Sequence, residues 1–448
     1  MKKSTVCLLL VIASLGHATA ASPEAEDHAR LLHMLGIDAL RPGAHWDPAE
    51  PNSANYDESR ANEHLDTLPE LLVDDSGQVV ASAADWWDRR RPEIVEHFDR
   101  EIYGRVPNDV PAVDWTAGKR VPETVGGLPV VTQTVTGTVG HGEHPPVAVK
   151  IEMKITLPRN SDGPVPAVLQ LAFDPEFIEA LRARFSDEQL EAFRGPGPPW
   201  QQQVIERGWA AIELYATSIQ ADNGAGLTAG IIGLANRGRP RDLDDWGALR
   251  AWAWGASRVL DYLSGTRAID AQRVAVHGHS RFGKAALLAM AYDTRFAAAF
   301  VSSSGAGGAK LWRRNFGEQI GNVAGTGEYH WVAGNFLRYA GPLSAPDLPV
   351  DAHALIALCA PRPVFISSGA EGEQWVDPKG MFLAAVHAGP VYELLGARGL
   401  GTTEMPPIGV GLLDGDIAWR QHELGHTPGP NWPWFLDFAA ARFDHKSE

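Results

Sequence analysis

RVAVHGHSRFGKAAL occupies residues 273–287 and decides the fold. The apolar residues at 274–276 predict a buried strand, and the spacing after Ser280 predicts a helix that begins directly behind it. A serine at such a strand-to-helix corner projects its hydroxyl above the sheet, between small residues that allow the tight turn. We therefore predict that Ser280 is a nucleophile. The alternative is a serine that only caps the helix N-terminus.

Short apolar runs and helical stretches surround this corner. Residues 128–157 are rich in Val, Thr and Ile with partial alternation, which predicts antiparallel strands. Runs that suit buried parallel strands follow at 167–173, 209–215, 274–277, 298–303 and 364–368. Helical spacing is found at 244–263, 280–292, 378–387 and 434–443. The pattern predicts an α/β fold with a mixed, mostly parallel sheet and helices on both faces. Together with the Ser280 corner, it predicts an α/β-hydrolase three-layer sandwich.

The N-terminus has the features of a signal peptide. Lys2 and Lys3 precede an apolar run at 6–15, and small residues end at Ala20. A membrane anchor would need about 20 apolar residues, roughly twice this run. We expect cleavage after Ala20 and a secreted or periplasmic protein. Cys359 would then be the only cysteine left, so the mature chain could form no internal disulfide.

Composition limits the domain organisation and the partners. The 448 residues carry a formal net charge of −16, which argues against nucleic acid and acidic membrane surfaces as partners. Residues 21–90 are predicted to be an N-terminal extension that wraps the core. Residues 91–448 are predicted to be a single catalytic domain, with a helical segment inserted near 176–200. We expect a monomer without a cofactor.

A histidine motif near the C-terminus allows two interpretations. Residues 422–429 are HELGHTPG, which matches the His-Glu-x-x-His pattern of zinc proteases. The third ligand of the extended pattern would fall on Trp432, which cannot bind zinc. Pro428, Pro430 and Pro433 are also expected to interrupt any helix soon after His426. A histidine in a loop before the last helix is where an α/β-hydrolase places its base, so we predict His426 as the base and no metal site.

Several segments together resemble the bacterial branch of the glucuronoyl esterases, the 4-O-methyl-glucuronoyl methylesterases, over most of the chain after about residue 90. The matching segments are at 244–248, 251–258, 278–284, 304–308 and 375–378. The last glycine of the usual Gly-x-Ser-x-Gly pattern is displaced to Gly283, as is common in this family. The resemblance implies that Ser280 attacks the ester, that Arg281 helps to hold the oxyanion and that Lys284 binds sugar hydroxyls. Glu318 and Trp375 match positions that contact the sugar.

The catalytic acid is the point at which this chain departs from the family pattern. The family often has a glutamate after the strand that follows the nucleophile helix, but Ser303 occupies that place and carries no charge. Some bacterial members use a loop after a later strand, which corresponds here to 367–375. We predict Glu373 as the acid, with Glu371 and Asp377 as alternatives.

The predicted function is therefore a serine esterase without a cofactor, acting on the ester of (4-O-methyl-)glucuronic acid in glucuronoxylan with lignin alcohols. Another carbohydrate esterase or a serine peptidase on the same fold is one alternative. A weakly active carbohydrate-binding protein, suggested by the uncharged Ser303, is the other.

Overall fold

A computed structural model describes residues 22–140, 148–186 and 194–443 of the chain. The predicted signal peptide, residues 1–20, lies outside the described residues. Within those three ranges, no helix combines the length and the apolar character that crossing a membrane requires.

The strands of the described residues join into one sheet. They are β1 Val113–Ala117, β2 Val121–Val125, β3 Leu128–Val139, β4 Val149–Pro158, β5 Val165–Ala172, β6 Ala210–Tyr215, β7 Ile269–His279, β8 Ala298–Ser302, β9 Val364–Ser368, β10 Gly411–Leu412 and β11 Ile417–Gln421. Their order is β1-β3-β4-β6-β5-β7-β8-β9-β11-β10, and β2 also pairs with β3.

The centre of the sheet is parallel and its margins are antiparallel. The strands from β6 through β5, β7, β8 and β9 to β11 run parallel to one another. The pairs of β3 with β1, β2 and β4, of β4 with β6 and of β10 with β11 are antiparallel. The predicted mixed sheet is therefore confirmed. Because the parallel strands end at one edge, the loops after β7, β8, β9 and β11 meet there.

Helices cover both faces of the sheet. The α-helices among the described residues are Pro23–Leu35, Ala83–Asp85, Arg91–Phe98, Pro175–Arg182, Trp200–Glu206, Ala216–Ile219, Gly230–Ala235, Ala248–Ser264, Arg281–Tyr292, Ile320–Val323, Ala352–Ala357, Pro378–Leu394 and Trp432–Phe443. Residues 187–193 of the predicted inserted segment lie outside the described residues.

The helix predicted over 378–387 extends to Leu394, and two helix starts differ from the prediction for identifiable reasons. The helix expected from residue 244 begins at Ala248, because Gly247 before it is extended with φ −92° and ψ 174°. The last helix begins at Trp432, before Pro433 and not after it. Proline is tolerated in the first turn, where its missing N–H would have no helical acceptor.

The alternation of side chains along the central strands separates the core into two layers. Val274 and Val276 of β7 pack in one cluster, together with the helices Ala248–Ser264 and Arg281–Tyr292. Ala275 between them packs in the other cluster, with the helix Trp432–Phe443. The first cluster also includes Leu31, Leu71 and Val80 from the N-terminal segment. The central strands are therefore buried on both faces, as parallel strands covered by helices are.

Candidate active site

Ser280 lies at the corner between β7 and the helix that follows it. Its backbone has φ 57° and ψ −128°, a conformation that costs a residue with a side chain about 1–3 kcal/mol. A Cβ on Gly278 would lie 1.9 Å from the carbonyl oxygen of Phe282, so the turn requires glycine there. A Cβ on Gly283 would lie 2.8 Å from the carbonyl oxygen of Ser302. This close approach explains why the second glycine of the motif is at 283.

The helix that begins at Arg281 directs its N-terminus to the same place. Its first backbone N–H groups have no helical acceptor, and the helix dipole favours negative charge there. The Arg281 guanidinium donates to Oδ2 of Asp222 at 2.5 Å and lies 5.3 Å from the centroid of the Trp331 ring. A positive side chain and backbone donors thus converge beside Ser280.

Asp222 is a member of the site that the sequence did not reveal. It also accepts hydrogen bonds from His330 Nε2 at 2.9 Å and from Trp331 Nε1 at 2.7 Å. Burial acts to raise the pKa of Asp222, but the His330 hydrogen bond and the charge of Arg281 outweigh it and hold this pKa well below its usual range. An ionised Asp222 fixes the orientation of Arg281. No local motif marks this residue, since it follows a short helix after β6.

Glu373 and His426 form a close contact at the loop edge of the sheet. Glu373 Oε1 lies 2.5 Å from His426 Nδ1. Its other oxygen accepts from Ser303 Oγ at 2.5 Å and from the backbone N–H of Gly369 at 3.3 Å. Burial acts to raise the pKa of Glu373, but the charge and hydrogen bond of His426 and the bond from Ser303 lower it overall. Since Nδ1 contacts Glu373, Nε2 is the ring nitrogen with which His426 can accept a proton from another group.

A second histidine packs against this imidazole. The rings of His279 and His426 are 4.3 Å apart at an angle of 52°. His279 Nδ1 lies 3.1 Å from Ser302 Oγ. Burial, and then the charge of His426, hold the pKa of His279 well below its usual range. His279 therefore stays neutral and provides a flat, uncharged wall beside His426.

Lys284, one helical turn beyond Ser280, is paired with Glu318. Lys284 Nζ donates to Ala306 O at 2.5 Å and to Glu318 Oε2 at 3.2 Å, and it lies 5.4 Å from the centroid of the Trp331 ring. Glu318 Oε2 also accepts from the backbone N–H of Ala306 at 2.9 Å. Both side chains are almost fully buried. Their charges are thus fixed in place without bulk solvent between them.

Glu328 is a second acid that the sequence analysis missed. In the part of the chain that the structure describes, its Oε2 is buried without a hydrogen-bond partner. Burial, and then the charge of Glu318, raise the pKa of Glu328 to about 8, although Lys284 and Arg281 act to lower it. At neutral pH this carboxyl group is mainly protonated. It can both donate and accept a hydrogen bond within the charged cluster.

The other acids of the loop after β9 are arranged differently from Glu373. Asp377 is fully buried, contacts Arg314 Nε at 2.8 Å and accepts the N–H of Gly380 as a helix cap. Glu371 is exposed. Trp375 is half-buried, and its carbonyl oxygen accepts the N–H of Glu318 at 2.8 Å. The loop thus connects the Glu373 contact with the Lys284 cluster.

The His-Glu-x-x-His motif does not form a helix. His422 directly follows β11 and contacts Asn431 and the carbonyl oxygen of Gly425. The Glu423 side chain is 65% exposed and lies 3.9 Å from Arg420. Within the described ranges, no group of three His, Cys, Asp or Glu residues is arranged to hold a metal ion.

Comparison with known proteins relates this chain to esterases. The profile of a family described as glucuronyl esterase, fungi, matches residues 241–396. A carbohydrate esterase from an unknown prokaryotic organism is 35% identical over 421 residues, which cover 88% of this chain and 94% of that protein. The 4-O-methyl-glucuronoyl methylesterase 1 of Wolfiporia cocos is 30% identical, over 74% of this chain and 72% of the relative.

A solved structure agrees with these relatives. A CE15 glucuronoyl esterase from Teredinibacter turnerae has 52% sequence identity and a TM-score of 0.89. The match covers 94% of this chain and all of that one.

Proposed function

Since this chain belongs to the glucuronoyl esterases of family CE15, whose nucleophile is a serine, we propose that it hydrolyses esters of glucuronic acid through an acyl-enzyme on Ser280. The observation that supports this proposal most is the 2.5 Å contact of buried Glu373 with His426, at the sheet edge where the strained Ser280 corner also lies. Nucleophile, base and acid follow β7, β11 and β9, which are the strand ends that α/β-hydrolases use.

In the first half of the reaction, His426 Nε2 takes the proton of the Ser280 hydroxyl while its oxygen forms a bond to the ester carbonyl carbon. The carbonyl oxygen becomes an oxyanion, which the Arg281 guanidinium and the N-terminal backbone N–H groups of its helix stabilise. When the oxyanion collapses, the bond to the alcohol oxygen breaks. His426 gives its proton to that oxygen, and the alcohol leaves.

In the second half, a water molecule loses a proton to His426 Nε2 and attacks the acyl carbon. Collapse of this intermediate breaks the bond to Ser280, which recovers its proton from His426, and free glucuronate leaves. Glu373 stays ionised throughout. Its role is to hold His426 in the tautomer with the proton on Nδ1 and to stabilise the imidazolium.

The sugar ring would be recognised by four side chains near Ser280, which we call the sugar cluster: Lys284, Glu318, Glu328 and Trp375. Lys284 and Glu318 offer a fixed donor and acceptor for hydroxyl groups, and protonated Glu328 offers both. Trp375 would present its indole ring to the sugar. Because Lys284 and Glu318 are held by hydrogen bonds before substrate binds, little conformational entropy would be lost when the sugar binds them.

The substrate that we propose is the ester joining (4-O-methyl-)glucuronic acid of glucuronoxylan to a lignin alcohol. The name of the Wolfiporia cocos relative includes 4-O-methyl-glucuronoyl, and the opposite charges around Lys284 suit a polyhydroxylated ring. We propose that the protein acts outside the cytoplasm as a monomer, after loss of residues 1–20. All the proposed catalytic groups come from one chain, and the reaction needs no cofactor.

A comparison of two substrates tests the function. The purified protein should release benzyl alcohol from benzyl glucuronate and should release little acetate from acetylated xylan. The Ser280→Ala variant should fold, by circular dichroism, and lose the first activity by several orders of magnitude. Equal activity of the folded variant, or preference for acetylated xylan, would contradict the proposal.

A further inference from the structure

A chain of hydrogen bonds runs beneath the loop that carries His426. Arg420 Nη1 lies 2.5 Å from Asn431 Oδ1, and Asn431 Nδ2 lies 2.9 Å from His422 Nδ1. His422 Nε2 then lies 3.1 Å from the carbonyl oxygen of Gly425. His422 and Asn431 are fully buried, so each of these groups depends on its partner in the chain.

The chemistry of the four groups fixes the direction of every bond. A guanidinium only donates, so the Asn431 atom that faces Arg420 must be the amide oxygen. The Asn431 amide nitrogen therefore donates to His422 Nδ1, which must be unprotonated. His422 consequently carries its proton on Nε2 and donates it to Gly425. Burial first, and the charge of Arg420 among the weaker effects, hold the pKa of His422 below its usual value, in agreement with a neutral ring.

The last hydrogen bond of this series ends on Gly425, the residue directly before the proposed base. The Gly425 carbonyl also accepts the backbone N–H of Thr427 at 2.8 Å. Its two donors, His422 and Thr427, thus come from before and after His426 in the sequence. The backbone N–H of His422 donates to Ser368 O at 3.0 Å, which fastens the start of the loop to β9. The loop is thus held at its start by the sheet, at Leu424 by the backbone N–H groups of Ala370 and Glu371, and at Gly425 by the His422 side chain.

We propose that His422 is a positioning residue for His426. Its hydrogen bonds connect the peptide that precedes the base to Asn431 and, through Asn431, to Arg420. They thereby hold His426 Nε2 in reach of Ser280. This inference rests on the proposed function of His426 and gives the first histidine of the His-Glu-x-x-His motif a role that involves no metal. A base displaced by about 1 Å loses about 100-fold in rate.

The test compares His422→Phe with a matched variant, His353→Phe. His353 is also a buried histidine whose Nε2 faces a backbone carbonyl, that of Pro69 at 2.9 Å. We expect both variants to lose thermal stability. For His422→Phe, kcat on benzyl glucuronate should fall by about 10- to 100-fold, while KM changes less than about twofold because the sugar cluster is untouched. For His353→Phe, kcat should remain that of the wild type.

Two further variants keep the test informative if His422→Phe does not fold. His422→Gln offers an amide N–H to Gly425 and an amide oxygen to Asn431, so kcat should stay within about threefold of the wild type. Asn431→Leu should lower kcat as His422→Phe does, and the double variant should be no worse than either single one, since all break the same chain. A folded His422→Phe or Asn431→Leu with wild-type kcat would overturn the proposal, as would equal losses in His422→Phe and His353→Phe.

The rate of phosphonylation of Ser280 by an activated aryl phosphonate separates this inference from the proposed substrate. That reaction needs the base but not the sugar cluster. Wild-type protein that reacts with the phosphonate but not with benzyl glucuronate would contradict the proposed substrate alone. A phosphonylation rate of folded His422→Phe equal to that of the wild type would contradict the positioning role.

Discussion

Glu373→Gln should place the imidazole of His426 in the wrong tautomer. One carboxylate oxygen of Glu373 accepts from both Ser303 Oγ and the N–H of Gly369, and the second faces His426 Nδ1. The backbone N–H of Gly369 can only donate, so the oxygen of a glutamine would turn to that side. Its NH₂ group would then point at Nδ1 and require an unprotonated nitrogen there. The ring proton would move to Nε2, the nitrogen that must accept the proton of Ser280.

The expected loss combines this tautomer change with the loss of a charge beside the imidazolium. Neutralising a triad carboxylate lowers kcat by roughly 10⁴-fold, or about 5 kcal/mol of transition-state stabilisation. KM should change little, because Glu373 contacts the base and not the sugar cluster. Steady-state hydrolysis of benzyl glucuronate measures both constants. A Glu373→Gln variant with kcat within tenfold of the wild type would refute this reasoning.

Two residues of the same loop serve as controls. Glu371→Gln should retain near-normal kcat, because that side chain is exposed. Asp377→Asn should lower the melting temperature, since it weakens a fully buried ion pair with Arg314. The folded fraction of that variant should keep its turnover. If Asp377→Asn lost turnover while Glu373→Gln kept it, the acid would be Asp377.

Three further predictions concern the rest of the site. Asp222→Asn removes the charge that orients Arg281 and should lower kcat/KM by about tenfold; unchanged kinetics would contradict the role of this pair. Glu328→Gln tests the raised pKa: the folded state retains the proton up to about pH 8, whereas an unfolded glutamate loses it near pH 4.5. The free energy of unfolding of the wild type should therefore fall as the pH rises over that window, and the stability of the variant relative to the wild type should rise. Urea unfolding at pH 5 and 8 measures both. A difference between variant and wild type that is the same at both pH values would refute the raised pKa. Exhaustive chelation should leave hydrolysis intact, and activity that returned only with zinc would overturn the interpretation of His422 and Glu423.

The fold and the Ser280 corner could be predicted from the sequence because both depend on local patterns. Apolar runs predict the central strands. The tight turn at Ser280 requires Gly278 and Gly283, which lie within three residues of it in the sequence. Asp222 and Glu328 could not be found in this way. Each is a single acid in a loop, and it acquires a role only because folding brings it beside Arg281 or Lys284. The last helix begins earlier than a proline read as a helix breaker predicts, because Pro433 occupies the tolerated first turn.

The place of the acid follows from the topology of the sheet. β8 and β9 are adjacent and parallel, and the backbone N–H of Ser303 donates to Ser367 O at 2.7 Å, so the loops that follow both strands leave the sheet together. A carboxylate on either loop therefore leaves the sheet at the same edge. In this chain the first loop supplies a hydroxyl, and that hydroxyl donates to Glu373 from the second. Ser303 thus contacts Glu373, the proposed acid, from the place where the resemblance would put a glutamate. A Ser303→Ala variant should therefore lower kcat less than Glu373→Gln does, since it removes one hydrogen bond and leaves the charge.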